Sequence, residues 1–262
     1  MDSFSRRNLL KSAGLAGAAA AIPAMVSAAP SNGSQAEAEN ASAASGASGS
    51  TDGLGSFLFF FNTEEARFVE AAVDRLIPPD DKWGGAKMAG VIYFIDRQLA
   101  GGYGAGAHMY LDGPWDPNAP PQQGYQLRYP PKELYRTAIG EIRAAVRDGH
   151  NNQEFWDLSP DVMDKVLTGL EHGDIQLKSV PSPVFFETLL ANTIEGYFAD
   201  PAYGGNRDMV AWRMIGFPGA YAQYVGLVDK YDLPYAREPL SLAGVAAEAA
   251  AADDMQHKSG SL

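Results

Sequence analysis

The residue pattern that comes nearest to a known chemical motif is a cluster of small residues, Gly102, Gly104 and Ala107. Their spacing is G-x-G-x-x-A, which in a strand–turn–helix unit presents a helix N-terminus to a dinucleotide pyrophosphate. Here an apolar helical pattern precedes the glycines, and the sequence "HMYLDGPW" follows them. The context therefore favours a glycine-rich exit from a helix, and we assign no nucleotide-binding residue.

Side chains suited to metal binding or acid–base chemistry are scattered along the chain. The histidines stand singly, and none has a second ligand at a spacing that would share one helix face. They are His108, His150, His172 and His257. The sequence "EHGD" at residues 171–174 is typical of a charged helix end, and no G-x-S-x-G elbow marks a hydrolase nucleophile. We therefore predict no catalytic, metal-binding or cofactor-binding residue in this chain.

Composition narrows the function classes further. The chain has 262 residues, a net charge of −12 and no cysteine. A strongly acidic protein is a poor ligand for nucleic acid, so we predict no nucleic-acid partner. The lack of cysteine excludes disulfides, thiolate-ligated iron–sulfur clusters, covalently attached c-type haem and a cysteine nucleophile. The fold must therefore be held together by packing.

The N-terminus has the pattern of an export signal. Arg6 and Arg7 stand in "SRRNLLKSAG", and an Ala/Gly-rich stretch leads to "VSAAP". This pattern indicates a twin-arginine signal peptide over residues 1–29, with Arg6 and Arg7 read by the translocase. Residues 30–56 contain almost no large apolar side chain and are predicted to be a flexible linker. Residues 57–262 are long enough for one domain with its own core.

Apolar residues at helical spacing recur through that domain. Asn62 and Glu65 form a predicted capping box for the first helix, which Pro78-Pro79 ends. We predict further helices over residues 86–99 and 131–149, and after Ser159-Pro160 and Ser182-Pro183. "SFLFFFN" at residues 56–62 is a candidate short strand. The predicted fold is mainly α, a single domain of about five to seven helices with long ordered loops rich in Gly, Pro and aromatic residues.

Residues 195–221, "EGYFADPAYGGNRDMVAWRMIGFPGAY", alternate turn-forming residues with large aromatic ones. Surface loops rarely keep so many aromatics unless these contact a partner, although any one of them could instead cover the domain's own core. We predict a partner interface that includes Trp115 in the 101–130 loop. Its other residues are Asp200, Tyr203, Gly204, Gly205, Asn206, Arg207, Trp212, Gly216, Phe217, Pro218 and Gly219.

The same stretch, "GYFADPAYGGNRDMVAWRMIGFPGA", closely resembles the gluconate 2-dehydrogenase subunit 3 family. Earlier blocks resemble that family in the same order, including "FNTEEARFVEAAVDRLIPPDD", "GAKMAGVIYFIDRQLAGGYG", "YLDGPW" and "GYQLRYPPKELYRTAI". The resemblance covers nearly all of residues 57–240. Members of the family are the small, or gamma, subunits of membrane-bound, flavin-dependent sugar and sugar-acid dehydrogenases.

The resemblance implies a complex with two other subunits. A large subunit would carry FAD and the oxidation site, and a multihaem cytochrome c would pass electrons to quinone. The large subunit of such complexes usually lacks an export signal, so this chain would carry it, folded, through the twin-arginine translocase to the periplasmic side of the inner membrane. The family offers no catalytic residue for this subunit, and the substrate stays open among gluconate, ketogluconate, fructose, sorbitol and other polyols.

Two other readings stay open at the level of sequence. The chain could be a free-standing periplasmic enzyme or sugar-binding protein whose aromatic loops, with Trp115 and Trp212, stack on carbohydrate. It could also be a structural periplasmic protein of unrelated role. A neighbouring gene for a large flavoprotein without its own signal would favour the subunit, and an isolated gene would favour the sugar binder.

Overall fold

The computed structural model describes residues 57–116, 119–221, 226–231 and 236–245. The predicted export signal (1–29) and linker (30–56) lie outside these residues. The described α-helices are α1 (Thr63–Leu76), α2 (Val91–Ala100), α3 (Pro131–Gly149), α4 (Pro160–His172), α5 (Ser182–Phe198) and α6 (Val210–Ile215). Short 3-10 helices lie at η1 (Pro121–Gln123), η2 (Phe155–Asp157), η3 (Pro201–Tyr203) and η4 (Arg207–Met209). The predicted mainly α, single-domain fold is confirmed.

Local signals place the ends of several helices where the sequence predicts them. The Asn62 side chain accepts the backbone N–H of Glu65 at 2.9 Å, and the Glu65 carboxylate accepts the Asn62 N–H at 3.0 Å. Pro131 and Pro160 open α3 and α4, where a missing N–H is harmless. Gly173 ends α4 in the left-handed conformation with φ +77°. No helix in the described ranges is long and apolar enough to span a membrane.

Helix α5 is the centre of the packing. It contacts α1, α2, α3, α4 and α6, and buries Phe185, Leu189 and Tyr197 almost completely. The buried polar groups of this helix find partners inside the domain. Thr193 donates its hydroxyl to the Leu189 carbonyl at 2.6 Å, for example. The other helices are therefore positioned by their fit to α5.

The second helix begins later than predicted, at Val91 rather than at residue 86. Gly90 takes a left-handed conformation with φ +70°, which a continuous helix cannot pass through. Just before it, the Ala86 N–H donates to the Ile77 carbonyl at 2.8 Å. A Cβ on Gly85 would lie 2.5 Å from the same oxygen. This turn packs directly onto the end of α1, a tertiary contact that overrides the helical pattern.

The predicted strand at residues 56–62 does not form among the described residues of that stretch. The backbone N–H groups that a strand partner would use point instead at one buried carboxylate on α2. Asp96 accepts Phe59 N–H at 2.6 Å, Phe60 N–H at 3.0 Å and Phe61 N–H at 2.9 Å. Asp96 is 0% exposed, so these three bonds compensate the burial of its charge. The start of the domain is thereby fixed to α2.

An ion-pair network joins α1, α3 and the η2 turn. Arg143 donates to Glu154 through Nε at 3.0 Å and Nη2 at 2.8 Å, and to Glu64 at 2.6 Å. Arg147 adds a further bond to Glu154 at 3.1 Å. The hydrogen bond from Arg143 is the main cause that lowers the pKa of Glu154 below its ordinary value of 4.5. This carboxylate stabilises the fold only while it is ionised.

We expect Asp96→Asn to lower the free energy of unfolding by about 3 kcal/mol, because the amide group replaces an acceptor oxygen and faces N–H donors. The urea midpoint measures this loss. Asp81→Asn, the same change on an exposed side chain, is the control and should leave the midpoint nearly unchanged. Equal midpoints for both variants would show that the Asp96 carboxylate does not hold the N-terminal segment.

The Glu154 network predicts a pH dependence with a definite sign. Since the folded pKa lies below the unfolded one, the stabilisation is fully present above about pH 4.5 and is lost as the pH falls through the folded pKa. Glu154→Gln should therefore be less stable than wild type at pH 7, by about 1 kcal/mol. Melting temperatures from pH 7 to pH 3 should show this gap narrowing below pH 4.5. A gap that stays constant down to pH 3 would contradict the assignment.

Candidate interaction surface

The aromatic segment, which we define as residues 199–221, begins where α5 ends and contains η3, η4 and α6. Its first part lies against α5 through a close approach of two backbones. A Cβ on Gly205 would be 2.0 Å from the Gly196 carbonyl oxygen, so only glycine fits there. A Cβ on Gly196 itself would be 2.8 Å from the Phe94 ring of α2. Two glycines therefore set how closely the segment and α2 approach α5.

Asn206 fixes the next turn from the inside. It is 0% exposed and has a left-handed φ of +47°, which asparagine tolerates better than most residues. Its amide donates to the Ala199 carbonyl at 2.9 Å, and its side-chain oxygen accepts the Ala211 N–H at 2.9 Å. One side chain thus joins the start of the segment to α6. The hydrogen-bonding capacity of Asn206 is used within this chain.

Trp212 also faces inward. Its side chain is 6% exposed, its indole N–H donates to the Phe198 carbonyl at 2.8 Å, and its ring meets Phe217 edge to face at 5.1 Å. The Phe198 carbonyl is one of the last of α5, where no intrahelical N–H reaches it. Trp212 therefore completes the end of α5 and belongs to the domain's own core.

Other members of the segment face solvent. Tyr203 is 53% exposed, Phe217 43% and Ile215 59%. Arg207 is exposed too, with its backbone N–H bonded to the Ala89 carbonyl at 2.9 Å and its guanidinium 5.7 Å from the centre of the Tyr93 ring. Apolar and aromatic side chains beside an arginine match the composition of protein interfaces.

The twelve predicted interface residues thus divide by burial. Gly205, Asn206, Trp212 and Gly219 are buried; Asp200, Gly204 and Pro218 are half-buried; Tyr203, Arg207, Gly216, Phe217 and Trp115 are exposed. Eleven of them share the aromatic segment, whereas Trp115 lies in the 101–130 loop, 42% exposed and against Gly113. For the buried members the structure gives a role in this domain's own fold. Contact of the exposed members with a partner stays a prediction.

A second segment that the sequence reasoning missed lies against the first. Residues 236–245 run beside the end of the aromatic segment, where Leu240 forms a parallel bridge with Gly219. Leu242 also reaches Asp200, donating its N–H to the carboxylate at 2.8 Å. The available signal was the spacing of Leu240 and Leu242, two apolar residues two positions apart.

The 101–130 loop packs on α5 through tyrosines. Tyr103 donates to Asn192 at 3.2 Å, and Asn192 donates to the fully buried Tyr135 hydroxyl at 3.0 Å. Burial is the main cause that raises the pKa of Tyr103 and Tyr135, and it raises the pKa of Tyr125 to about 12. These phenols stay protonated at neutral pH and act as hydrogen-bonding groups. Gly104, part of the G-x-G-x-x-A pattern, packs against Leu99. A Cβ on Gly104 would lie 1.9 Å from the Leu99 carbonyl oxygen.

A polar hollow of about 430 Å³ opens beside α1 and α4, and no residue of the aromatic segment lines it. Most of the charged side chains around the hollow form ion pairs. Lys87 lies 3.2 Å from Glu70, and Arg75 lies 2.7 Å from Asp164 on α4. Burial raises the pKa of Asp74. The described residues contain no group of three or more His, Asp or Glu placed to hold a metal ion. We assign no catalytic chemistry to this hollow.

Comparison with family models gives two matches. The model described as gluconate 2-dehydrogenase subunit 3 matches residues 63–219, which run from the start of α1 to the Gly219 bridge. The model of the twin-arginine translocation pathway signal sequence matches residues 3–23 and includes Arg6 and Arg7. Comparison with curated proteins and with solved structures gave no match.

Trp212→Ala should lower the free energy of unfolding by about 2 to 3 kcal/mol, because it removes a buried ring and a hydrogen bond to the end of α5. Phe217→Ala, which truncates a ring that is 43% exposed, is the matched control and should cost less than about 1 kcal/mol. Urea unfolding of the two variants measures the difference. If Trp212→Ala were the milder change, Trp212 would not be part of the domain's core.

Proposed function

The chain belongs to the gluconate 2-dehydrogenase subunit 3 family, and we propose that it is the non-catalytic small subunit of a flavin-dependent sugar or sugar-acid dehydrogenase. In this proposal it stabilises the large FAD-containing subunit and carries it across the membrane. The chain is an exported subunit of a dehydrogenase complex, with a twin-arginine signal at its N-terminus.

The observation that carries the proposal is where the family match ends. The match covers the helical domain and ends in the aromatic segment. The buried residues of that segment make their hydrogen bonds within this domain, and Tyr203, Arg207 and Phe217 are exposed on its outer side. A segment this well anchored presents its outer side chains in a fixed arrangement. A fixed arrangement of exposed aromatic side chains favours docking to a folded partner, because little conformational entropy is lost on binding.

The export route supports the escort part of the proposal. Twin-arginine signals direct proteins across the membrane in the folded state, and a flavoprotein must fold around FAD before it leaves the cytoplasm. The described domain relies on packing, capping and ion pairs, and the chain has no cysteine to attach haem. We therefore assign FAD to the large subunit and haem c to a multihaem cytochrome subunit. The complex would lie on the periplasmic side of the inner membrane.

The test is to tag the C-terminus, purify the protein from the membrane fraction of its host, and record the absorption spectrum and the co-eluting chains. We expect flavin and haem bands together with a large flavoprotein. In an Arg6→Lys/Arg7→Lys variant, both this chain and the flavoprotein should stay in the cytoplasmic fraction. Arg67→Lys/Arg128→Lys, two exposed arginines of the folded domain, is the control and should leave export unchanged.

Two results would contradict the proposal in different ways. If the flavoprotein reached the periplasm in the Arg6→Lys/Arg7→Lys variant, the chain would not be its export carrier. If the wild-type chain purified alone and colourless, the subunit role itself would fail, and sugar binding by the exposed aromatics would become the better reading.

A further inference from the structure

Residues 238–242, which we call the clasp, bridge the two ends of the aromatic segment. At one end, the Leu240 N–H donates to the Pro218 carbonyl at 3.0 Å, and the Leu240 carbonyl accepts the Ala220 N–H at 2.8 Å. At the other end, the Leu242 N–H reaches the Asp200 carboxylate at 2.8 Å. The clasp therefore connects residue 200 to residues 218–220 and closes the segment into a loop.

Asp200 is the shared anchor of this arrangement. One carboxylate oxygen accepts the Ala202 N–H at 2.9 Å and caps η3, and the other accepts the clasp at Leu242. Glu238 fixes the other end of the clasp, because its carbonyl accepts the Tyr221 hydroxyl at 2.9 Å and its carboxylate lies 3.6 Å from Arg213. Each end of the clasp is thus bonded to a different part of the aromatic segment.

Gly219 allows the clasp to approach the aromatic segment closely. Its φ is +81°, and a Cβ there would lie 2.2 Å from the Leu240 carbonyl oxygen. Gly216, three residues earlier, has a similar φ of +70° but open space around it, with no atom within 4 Å of a Cβ. Both glycines allow a left-handed turn, but only Gly219 is also required by contact with the clasp.

We propose that the clasp preorganises the aromatic segment for docking to the large flavin-carrying subunit, an inference that rests on the proposed function. Closing the loop fixes Tyr203, Ile215 and Phe217 before the partner arrives, so less conformational entropy is lost on binding. The clasp also adds Leu242, which is 49% exposed beside Asp200, to the same surface. The clasp lies outside residues 63–219, the part of the chain that the family model matches.

The clasp is a weakly held element. Two backbone hydrogen bonds, one bond to the Asp200 carboxylate, one bond from the Tyr221 hydroxyl and an exposed ion pair give modest net stabilisation. The entropy of ordering the residues that form them opposes it. Such elements open locally while the domain stays folded. Closure can therefore be changed by mutation without unfolding the helices, which makes the proposal testable.

The first measurement is hydrogen exchange in the free, full-length protein. The amides of Ala220, Leu240 and Leu242 should be protected in wild type and in Gly216→Ala, and should lose protection in Gly219→Ala. Because a Cβ at residue 219 also approaches the Trp212 ring at 2.9 Å, a second pair separates the two causes. Leu240→Pro removes the N–H that bonds Pro218, whereas Leu240→Ala keeps it.

The second measurement is affinity for the large flavoprotein that co-purifies with the tagged chain, by titration of the immobilised variants. Gly219→Ala and Leu240→Pro should bind roughly tenfold more weakly than wild type, and Leu240→Ala should bind nearly as well as wild type. The far-ultraviolet circular dichroism of all three should match wild type, which shows that the helices are intact.

The outcomes separate the inference from the proposed function. Unchanged protection in Gly219→Ala and Leu240→Pro would show that the clasp does not close as described. Lost protection with unchanged affinity would overturn its role in docking. Failure of the wild-type protein to bind any flavoprotein would overturn the proposed function and the docking role together, while the exchange data would still decide whether the clasp forms.

Discussion

The close approach of Gly205 to Gly196 is the constraint on which the surface of this domain depends. Any side chain at Gly205 would meet the Gly196 carbonyl at 2.0 Å, and any side chain at Gly196 would meet Phe94. Because both positions are glycine, the aromatic segment can lie directly on the last turns of α5. Asn206 and Trp212 then come within hydrogen-bonding distance of Ala199 and Phe198. With a wider separation, the carbonyls at the end of α5 would lose these partners.

The side chains of the same segment divide by direction. The inner ones complete the hydrogen bonds and packing at the end of α5, and outer ones such as Tyr203 and Phe217 face solvent. This arrangement explains how a loop rich in glycine and turn-forming residues can hold aromatics at fixed positions. Rigidity comes from internal bonds, so the outer residues can be chosen for recognition alone.

Some sequence signals act locally, and others act only through tertiary contacts. The Asn62–Glu65 capping box and Pro131 act within one turn of the chain, and helices α1 and α3 begin where these residues predict. The start of α2 and the absence of a strand at 57–62 depend on Ile77 and Asp96, which meet their partners only after the chain has folded. Helix α6 escaped prediction because its six residues are flanked by turn formers. The sequence also does not predict which way each interface residue faces. Trp212 faces inward and Phe217 faces outward, yet both are large aromatic residues of the same segment.

The way this domain is stabilised fits assembly on one side of a membrane and action on the other. Disulfides form only after export, and a structural cofactor would have to be loaded first. This chain has no cysteine, and the described domain is fixed by buried apolar packing, the Asp96 bonds and the Arg143 ion pairs. None of these interactions depends on the redox state of the compartment. The aromatic segment can therefore hold the same shape before and after export, as the proposed docking in the cytoplasm and continued binding after export require.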